Sequence, residues 1–431
     1  MTHKTVKLSR RNFLETTAAG AAGVVLSSSA RSALGDSIRD VRGANGRINI
    51  GMIGPGERGS GLVRSLATLE NVKIISICDI YEPNLKKGAQ LAASQPKEFT
   101  DYRKIIEDKE VDAVVIATPL HLHHEMTLAA LAAKKHVFVE KTLAYTPEQC
   151  DQMVKAAKAN PSLVVQVGFQ RHHYPIVRKV VQMAHEGAFG KVTHIRCNWH
   201  RNANWRRPVP QSTFDPRPWG YPDLEHLINW RMYKKYSQGL MAELGSHMME
   251  VVNLIYSSMP AAVTGFGGID YWKDGRETFD NVNVIYNYPG GQKAMFTSIT
   301  TNVHYDQRIQ IMGTEGTFDM NWNTGTYYRE KAANAKDSGE KESTAPIQVE
   351  ESLVITATGE TMKRGPGESR GTQVGQGTQG RVDPTKLALQ EFITCVREGK
   401  KSDVDFEAGR RAAYSILLAN KAMEEGRVIK F

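Results

Sequence analysis

The feature that most constrains this chain is a glycine pattern in a particular setting. Residues 47–53, Arg-Ile-Asn-Ile-Gly-Met-Ile, read as a buried strand. They run into Gly54-Pro-Gly56-Glu57-Arg58-Gly59, and Ser60 to Leu66 then opens a helix. Alone, G-x-G-x-x-G says little; between a strand and a helix it is the phosphate-binding turn of a doubly wound α/β domain. There Gly54 permits the tight turn, Gly56 lets the backbone approach a pyrophosphate, and Gly59 allows close helix–strand packing. Glu57 and Arg58 complete the turn, and the helix end beyond offers unpaired N–H groups to an anion. The next apolar run, Val72 to Cys78, ends in Asp79, 20 residues after Gly59. A carboxylate there accepts from ribose hydroxyls and repels a 2′-phosphate, so the pattern favours NAD over NADP, while Arg58 nearby leaves NADP open.

Further strands are predicted at 111–117 and 136–139, with a helical pattern between them, and Val164 to Val167 closes a doubly wound unit over 47–167. The carboxyl ends of these strands carry Thr118, Pro119, His121 and His123, then Glu140 and Lys141. Ligands of open parallel sheets bind outside those ends.

The N-terminus reads as an address. Ser-Arg10-Arg11-Asn-Phe-Leu precedes a small, weakly apolar run to Leu26, with Ala30 or Ala33 able to end a cleavage site. This predicts a twin-arginine signal over 1–33, followed by an exposed arm over 34–46. Such a protein meets the twin-arginine translocon already folded and works in the periplasm or another extracytoplasmic space. No apolar stretch is long enough for a permanent membrane anchor. The formal charge is +9, but part of it sits in that leader and the rest is dispersed, which argues against nucleic acid. The four cysteines, Cys78, Cys150, Cys197 and Cys395, have no metal-ligand or disulfide-framework spacing, and His121, His123 and His124 match no ligand pattern, so no metal is expected.

Taken in order, Gly54-x-Gly56-x-x-Gly59, Asp79, Ala117-Thr118-Pro119-x-x-x-His123, Lys135-His136-Val137 and Glu140-Lys141 resemble the glucose–fructose oxidoreductase/inositol dehydrogenase (Gfo/Idh/MocA) family. Gly168-Phe-Gln170-Arg171 and Gly239-Leu-Met-Ala-Glu243-Leu-Gly-Ser-His247 continue the likeness across nearly all of the mature chain. The resemblance implies a second, α+β domain over 168–431, built on an open, largely antiparallel sheet that covers the nicotinamide. It also implies oligomers through that sheet, a homodimer or homotetramer. Thr118, Pro119, His123, Glu140, Gln170 and Arg171 fall on the cofactor side. Three positions depart from the pattern. Lys134 stands where a glycine is common, Thr142 follows Glu140-Lys141 where proline is common, and Glu243 replaces an aspartate.

Hydride transfer from an alcohol needs a base for the hydroxyl proton and donors for the developing oxyanion. Lys141 is the expected orienting and polarising cation, and His247, whose ordinary pKa is near neutrality, the proton acceptor. Glu243 lies one turn before His247 on a helix predicted over 241–255, where it can fix the imidazole tautomer or bind a substrate hydroxyl; Glu250 extends that face. Residues 198–208 and 229–233 are rich in aromatics and donors, and His200, Trp205, Arg206 and Tyr233 are the substrate-side candidates for a hydroxylated ring. A polar excursion near 331–379, broken by one strand-like run at 351–357, precedes helical patterns at 382–397 and 406–425.

The function expected is oxidation or reduction of a sugar or cyclitol hydroxyl with NAD. Because an exported enzyme has no dependable nicotinamide pool, the cofactor is expected to be held tightly and recycled. Two alternatives stand beside it. One is an NAD-dependent glycosidase acting by transient oxidation and elimination; the resemblance implies that this branch usually lacks the Glu-Lys pair. The other is a non-catalytic sugar or cofactor sensor, which has no need of Lys141 or His247.

Overall fold

The structure, a computed structural model, describes residues 46–330, 352–356, 361–364 and 383–431. The leader expected over 1–33, nearly all of the arm over 34–46 and most of the excursion near 331–379 lie outside the described residues.

Six short runs form the first sheet: β1 (Ile48–Ile53), β2 (Val72–Cys78), β3 (Lys97–Phe99), β4 (Ala113–Ile116), β5 (His136–Val139) and β6 (Val165–Val167). Their order is β3-β2-β1-β4-β5-β6 and every pairing is parallel. β4, β5 and β6 are buried throughout, as strands covered on both faces must be. The covering helices are α1 (Glu57–Leu66), α2 (Glu82–Ala92), the short α3 (Arg103–Glu107), α4 (His123–Ala132) and α5 (Pro147–Lys158). The strand order reverses between β1 and β4, and the crevice at that point is where the glycine turn opens.

After α6 (Pro175–His185) the chain enters a second, ten-stranded sheet through β7 (Val192–Asn202). The chain continues through α7 (Leu224–Ile228), a single π turn (Met241–Gly245) and α8 (Ser246–Tyr256). Strands β8 (Ala262–Gly268), β9 (Asn281–Asn287), β10 (Lys293–Ile299), β11 (Thr301–Gly313), β12 (Gly316–Met320), β13 (Thr324–Arg329), β14 (Ser352–Thr356) and β15 (Thr361–Arg364) follow. Two C-terminal helices, α9 (Pro384–Glu398) and α10 (Phe406–Glu425), and β16 (Ile429–Lys430) complete the described chain. The order is β15-β14-β13-β12-β11-β7-β10-β9-β8-β16, antiparallel except for β7 with β10. This mixed, mostly antiparallel sheet is the α+β architecture implied for the second half. Its inner face carries Val282, Val284, Tyr286 and Phe296 against α8 and α10, in one cluster with Met248 and Val252. Its other face is open, as period-two alternation in β9 dictates.

The second domain expected over 168–431 does not hold all of that span. Helix α9 belongs with the first sheet: Leu389, Phe392, Ile393 and Val396 form a helical stripe that joins the cluster of Ile48, Ile50 and Leu62, and Phe392 meets Phe138 edge to face at 5.7 Å. A stripe at that spacing must bury somewhere, and α1 and the β1 face offer the apolar partner. Helix α10 bridges the two halves. Ala412, Ala413 and Leu417 pack in the cluster that holds β4 and β5 residues, while Ile416, Ala419 and Ala422 pack with the second sheet.

Candidate active site

The glycine turn has the geometry its motif requires. Gly54 sits at φ +82°, where a Cβ would come within 2.9 Å of the Ala117 carbonyl. A Cβ on Gly59 would meet the Gly54 oxygen at 2.1 Å. Around Gly56 the nearest atom is Asn84 Nδ2, 3.6 Å from where a Cβ would lie, and α1 has no side-chain cap. Open space before uncapped N–H groups fits a pyrophosphate. Asp79 accepts from the Tyr81 N–H at 2.9 Å. Burial pushes its carboxyl up to about 6, against the opposing pull of the Tyr81 N–H and the Asn84 side chain.

The other cofactor-side residues divide. Arg58 donates Nε to Glu140 Oε1 at 2.7 Å and Nη1 to Thr385, so it points to Glu140 and to the start of α9. That pairing gives Arg58 a partner other than a 2′-phosphate. Glu140 lies close over Gly168, where a Cβ would be 2.8 Å from Oε1. Glu57 is ion-paired with Arg207, which reaches across from the loop after β7. Gln170 keeps Oε1 buried without a partner among the described residues, which suits an acceptor awaiting a ligand donor. Thr118 and Pro119 line the turn into the Leu120–Leu122 helical turn. His123 needs correction: it is 1% exposed, with ring nitrogens 2.9 Å from the Thr142 oxygen and 3.0 Å from the Thr118 oxygen. It ties two strand ends together and has no nitrogen left for a cofactor.

Lys141 enters the cleft from the end of β5. Its Nζ lies 3.2 Å from the Glu243 carbonyl and 3.3 Å from Glu243 Oε2. The Lys141–Thr142 peptide is cis although residue 142 is not proline. Glu243 Oε2 also accepts from Arg231 Nε at 3.0 Å. Burial alone would raise the Glu243 carboxyl; Arg231 and Lys141 outweigh it and hold the group at about 2. The expected helix over 241–255 begins as the π turn, and Glu243 turns to the two cations instead of to His247. The idea that Glu243 fixes the imidazole tautomer is therefore corrected: His247 Nδ1 is buried with no hydrogen bond to a described residue. The imidazole is 3% exposed, set against Phe169 at 6.2 Å and Trp199 at 5.6 Å. Burial, then Lys141, Arg171, Arg58 and Arg201, drive its pKa well below the usual histidine value. It is a neutral base in a cationic pocket. Glu250 does not join it, but binds His172 Nδ1 at 2.7 Å, while His173 pairs with Glu391 at 2.8 Å.

On the substrate side three of the four candidates need correction. His200 lies on the open face of the second sheet, with its nitrogens at the His304 oxygen and Thr297 Oγ1. Along β7 the inner face carries the odd positions Cys197 and Trp199, so residue 200 must point away from His247. Arg206 is spent on Glu225 and Asp274. Tyr233 donates to Glu225 at 3.2 Å and stacks on His226 at 3.9 Å. These two brace the loop. Trp205 does reach the inner side, where its ring lies 5.0 Å from the Arg201 guanidinium carbon. Three other residues of the aromatic and donor-rich runs 198–208 and 229–233 face the cleft instead: Trp199 beside His247, Arg201 against Trp199, both odd in β7, and Arg231 on Glu243. Counting by twos from buried Cys197 picks out the first two within their run; nothing local singles out Arg231 within 229–233.

Comparison with known proteins agrees with this fold. Residues 48–169 match the profile described as an oxidoreductase family with an NAD-binding Rossmann fold, and residues 177–319 match the GFO/IDH/MocA C-terminal domain. A glycosyl hydrolase family 109 protein of Shewanella pealeana is 31% identical over 222 residues, 47% of this chain and 48% of that protein. Inositol 2-dehydrogenase of Salmonella typhimurium is 35% identical over 127 residues, 29% of this chain and 38% of its own length. The chain thus spans about half or less of these two curated relatives. Levoglucosan dehydrogenase, solved with NADH and levoglucosan, superposes with TM-score 0.66 at 20% identity, over 89% of this chain and 99% of that one. The two matched profiles together span more than half of the sequence, and the chain belongs to the Gfo/Idh/MocA oxidoreductase family, its first domain an NAD-binding Rossmann fold.

Proposed function

We propose that this protein oxidises or reduces a ring hydroxyl of a sugar or cyclitol, with tightly held NAD as the redox partner. The observation that carries the reading is the buried pairing of Lys141 with Glu243 beside a neutral His247 whose Nδ1 has no partner among the described residues, at the carboxyl ends of the strands of the first sheet. NAD, when bound, accepts or returns the carbinol hydride. Lys141 holds the hydroxyl oxygen and steadies its developing negative charge. His247 takes the hydroxyl proton onto its imidazole. Glu243 anchors Lys141, and Arg231 shares that carboxylate. Inositol 2-dehydrogenase and levoglucosan dehydrogenase among the similar proteins support a hydroxylated ring as substrate.

Export through the twin-arginine translocon is part of this proposal, resting on the Ser-Arg10-Arg11-x-Phe-Leu leader. Tight retention has structural support. The loop after β7 touches the cofactor-side edges at two places: Arg207 pairs with Glu57 of the glycine turn, and Phe214 meets Tyr81 beside Asp79 at 5.5 Å. A homodimer or homotetramer through the open sheet face is also proposed, since Phe266 and Ile285 stand there 83% and 44% exposed.

The test is to purify the exported protein without added cofactor, and to read absorbance near ~340 nm and the mass of the released small molecule. Stoichiometric NAD(H), bleached and restored by sugar pairs, supports the proposal; an empty site with weak affinity refutes tight retention. The likeness to a family 109 glycosyl hydrolase favours a second reading, oxidation followed by elimination of an aglycone. Steady release of p-nitrophenol from an aryl glycoside without net NADH formation would select it.

A further inference from the structure

The cleft holds more positive charge than its carboxylates neutralise. Arg58 has Glu140, Lys141 and Arg231 share Glu243, and Arg207 has Glu57. Arg171 and Arg201 have no carboxylate within ion-pair distance among the described residues. Both guanidinium carbons lie 5.4 Å from the ring centre of Trp199, and that ring is in contact range of His247. Arg171 spends Nη1 on the Tyr174 hydroxyl and Nη2 on Gln307. Arg201 makes no side-chain hydrogen bond to a described residue. The Nε of each is buried without a partner among the described residues, and Asp306 acts on both without forming an ion pair.

A guanidinium N–H withdrawn from water and left without an acceptor is costly, and a site that bears the cost gains when an oxyanion binds there. The setting of Arg201 is built. Its second ring, Trp205, sits at φ +66°, a conformation a bulky residue adopts only where its surroundings impose it. The Arg201 guanidinium carbon lies 5.4 Å from the Trp199 ring centre and 5.0 Å from that of Trp205, within range for a cation against each indole.

We propose that the substrate ring carries a carboxylate, as in a uronic acid or its glycoside, and that Arg201, backed by Arg171, recognises it. This rests on the oxidoreductase reading for its chemistry but not for its binding. The planar fork matches a carboxylate in two parallel hydrogen bonds. The binding energy falls beside His247, so it orients the reacting hydroxyl and also selects the substrate.

The experiment uses the full-length protein with NAD(H), and compares methyl glucuronide, methyl glucoside and glucose 6-phosphate in turnover and in quenching of tryptophan fluorescence. Glucuronide is expected to exceed glucoside by at least about tenfold in kcat/KM and in affinity, with the advantage shrinking as salt rises. Arg201→Gln should erase that ratio, and Arg201→Lys should restore part of it, in protein whose circular dichroism and NADH affinity are unchanged. Equal use of glucuronide and glucoside overturns the proposal, and so does preference for the 6-phosphate. A variant that loses NADH affinity while the sugar ratio stands would make the cofactor's pyrophosphate the anion, which also overturns it. If no sugar is turned over yet glucuronide alone quenches fluorescence in an Arg201-dependent way, this inference stands and the oxidoreductase reading fails.

Discussion

The Lys141 ammonium and the Glu243 carboxylate stand 3.3 Å apart, with 11% and 10% of their side chains exposed. A pair so withdrawn from water is fixed in place: the ammonium without Glu243 would be a buried, uncompensated charge, while Glu243 without Lys141 would keep Arg231. Lys141→Met should therefore lower kcat by about 10²–10³-fold, the cost of one donor to a developing oxyanion, with a smaller change in KM. Glu243→Asp keeps the charge on a shorter arm and should lose only a few-fold. Steady-state kinetics on both variants decide it; a Lys141→Met enzyme within threefold of the parent would remove Lys141 from the chemistry.

The pH dependence follows from His247. Burial and four nearby cations hold its pKa well below the usual value, so the neutral, proton-accepting form persists below pH 6.5. The acid limb of kcat/KM should fall below that of an ordinary histidine, leaving activity level from about pH 6 to 8. The sign for stability is the reverse of a histidine paired with a carboxylate. The unfolded chain binds the proton that the folded chain refuses, so stability drops as pH falls below about 6.5. His136, held at about 4 by burial, adds in the same direction. His247→Asn should abolish turnover by about 10²–10⁴-fold and flatten part of the acid loss in a series of melts at decreasing pH.

Asp79 makes cofactor affinity sensitive to acid. Its carboxyl, raised to about 6 by burial, accepts ribose hydroxyls only when ionised. The dissociation constant of NADH, read by its fluorescence, should weaken by about tenfold between pH 7 and pH 5. Asp79→Asn should bind more weakly at pH 7 and lose that dependence, and its discrimination against NADPH should narrow. Identical pH curves for parent and variant would place the titrating group elsewhere.

Local signals were sufficient for five of the six Rossmann strands, the short and largely exposed β3 excepted. The turn from Gly54 to Gly59 and the acid at 79 are explained by backbone geometry within a few residues, and continuous apolar runs announced the parallel strands. The site's other half depends on contacts distant in sequence. Glu243 and His247 are four apart, and a helical spacing suggested a pair; the π turn and two cations from residues 141 and 231 decided otherwise. His200 was chosen for its chemistry, whereas the pleat of β7 decides which neighbour faces inward. Helix α9 shows the same limit: its stripe was legible, but not that it returns across more than 200 residues to cover β1.

The end of α4 gives a stability test free of the active site. Lys134 N–H reaches the Leu131 oxygen and Lys135 N–H the Ala130 oxygen, each at 3.0 Å, which is the bond pattern of a Schellman cap. In that cap the residue after the C-cap is left-handed, and Lys134 is, at φ +60°. A side chain costs roughly 1–2 kcal/mol in that conformation, and glycine does not. Against this, glycine gives back about 0.4–1 kcal/mol through the freer unfolded chain, and the exposed bond from Lys134 Nζ to Asn160 is lost. Lys134→Gly should thus gain about 0.5 kcal/mol, a rise of about 1 °C in a chain of this length. Lys134→Ala loses the same Asn160 bond but keeps the strained backbone, so it should melt at or below the parent temperature. If alanine stabilises as much as glycine, the gain does not come from the left-handed backbone, and the cap argument fails.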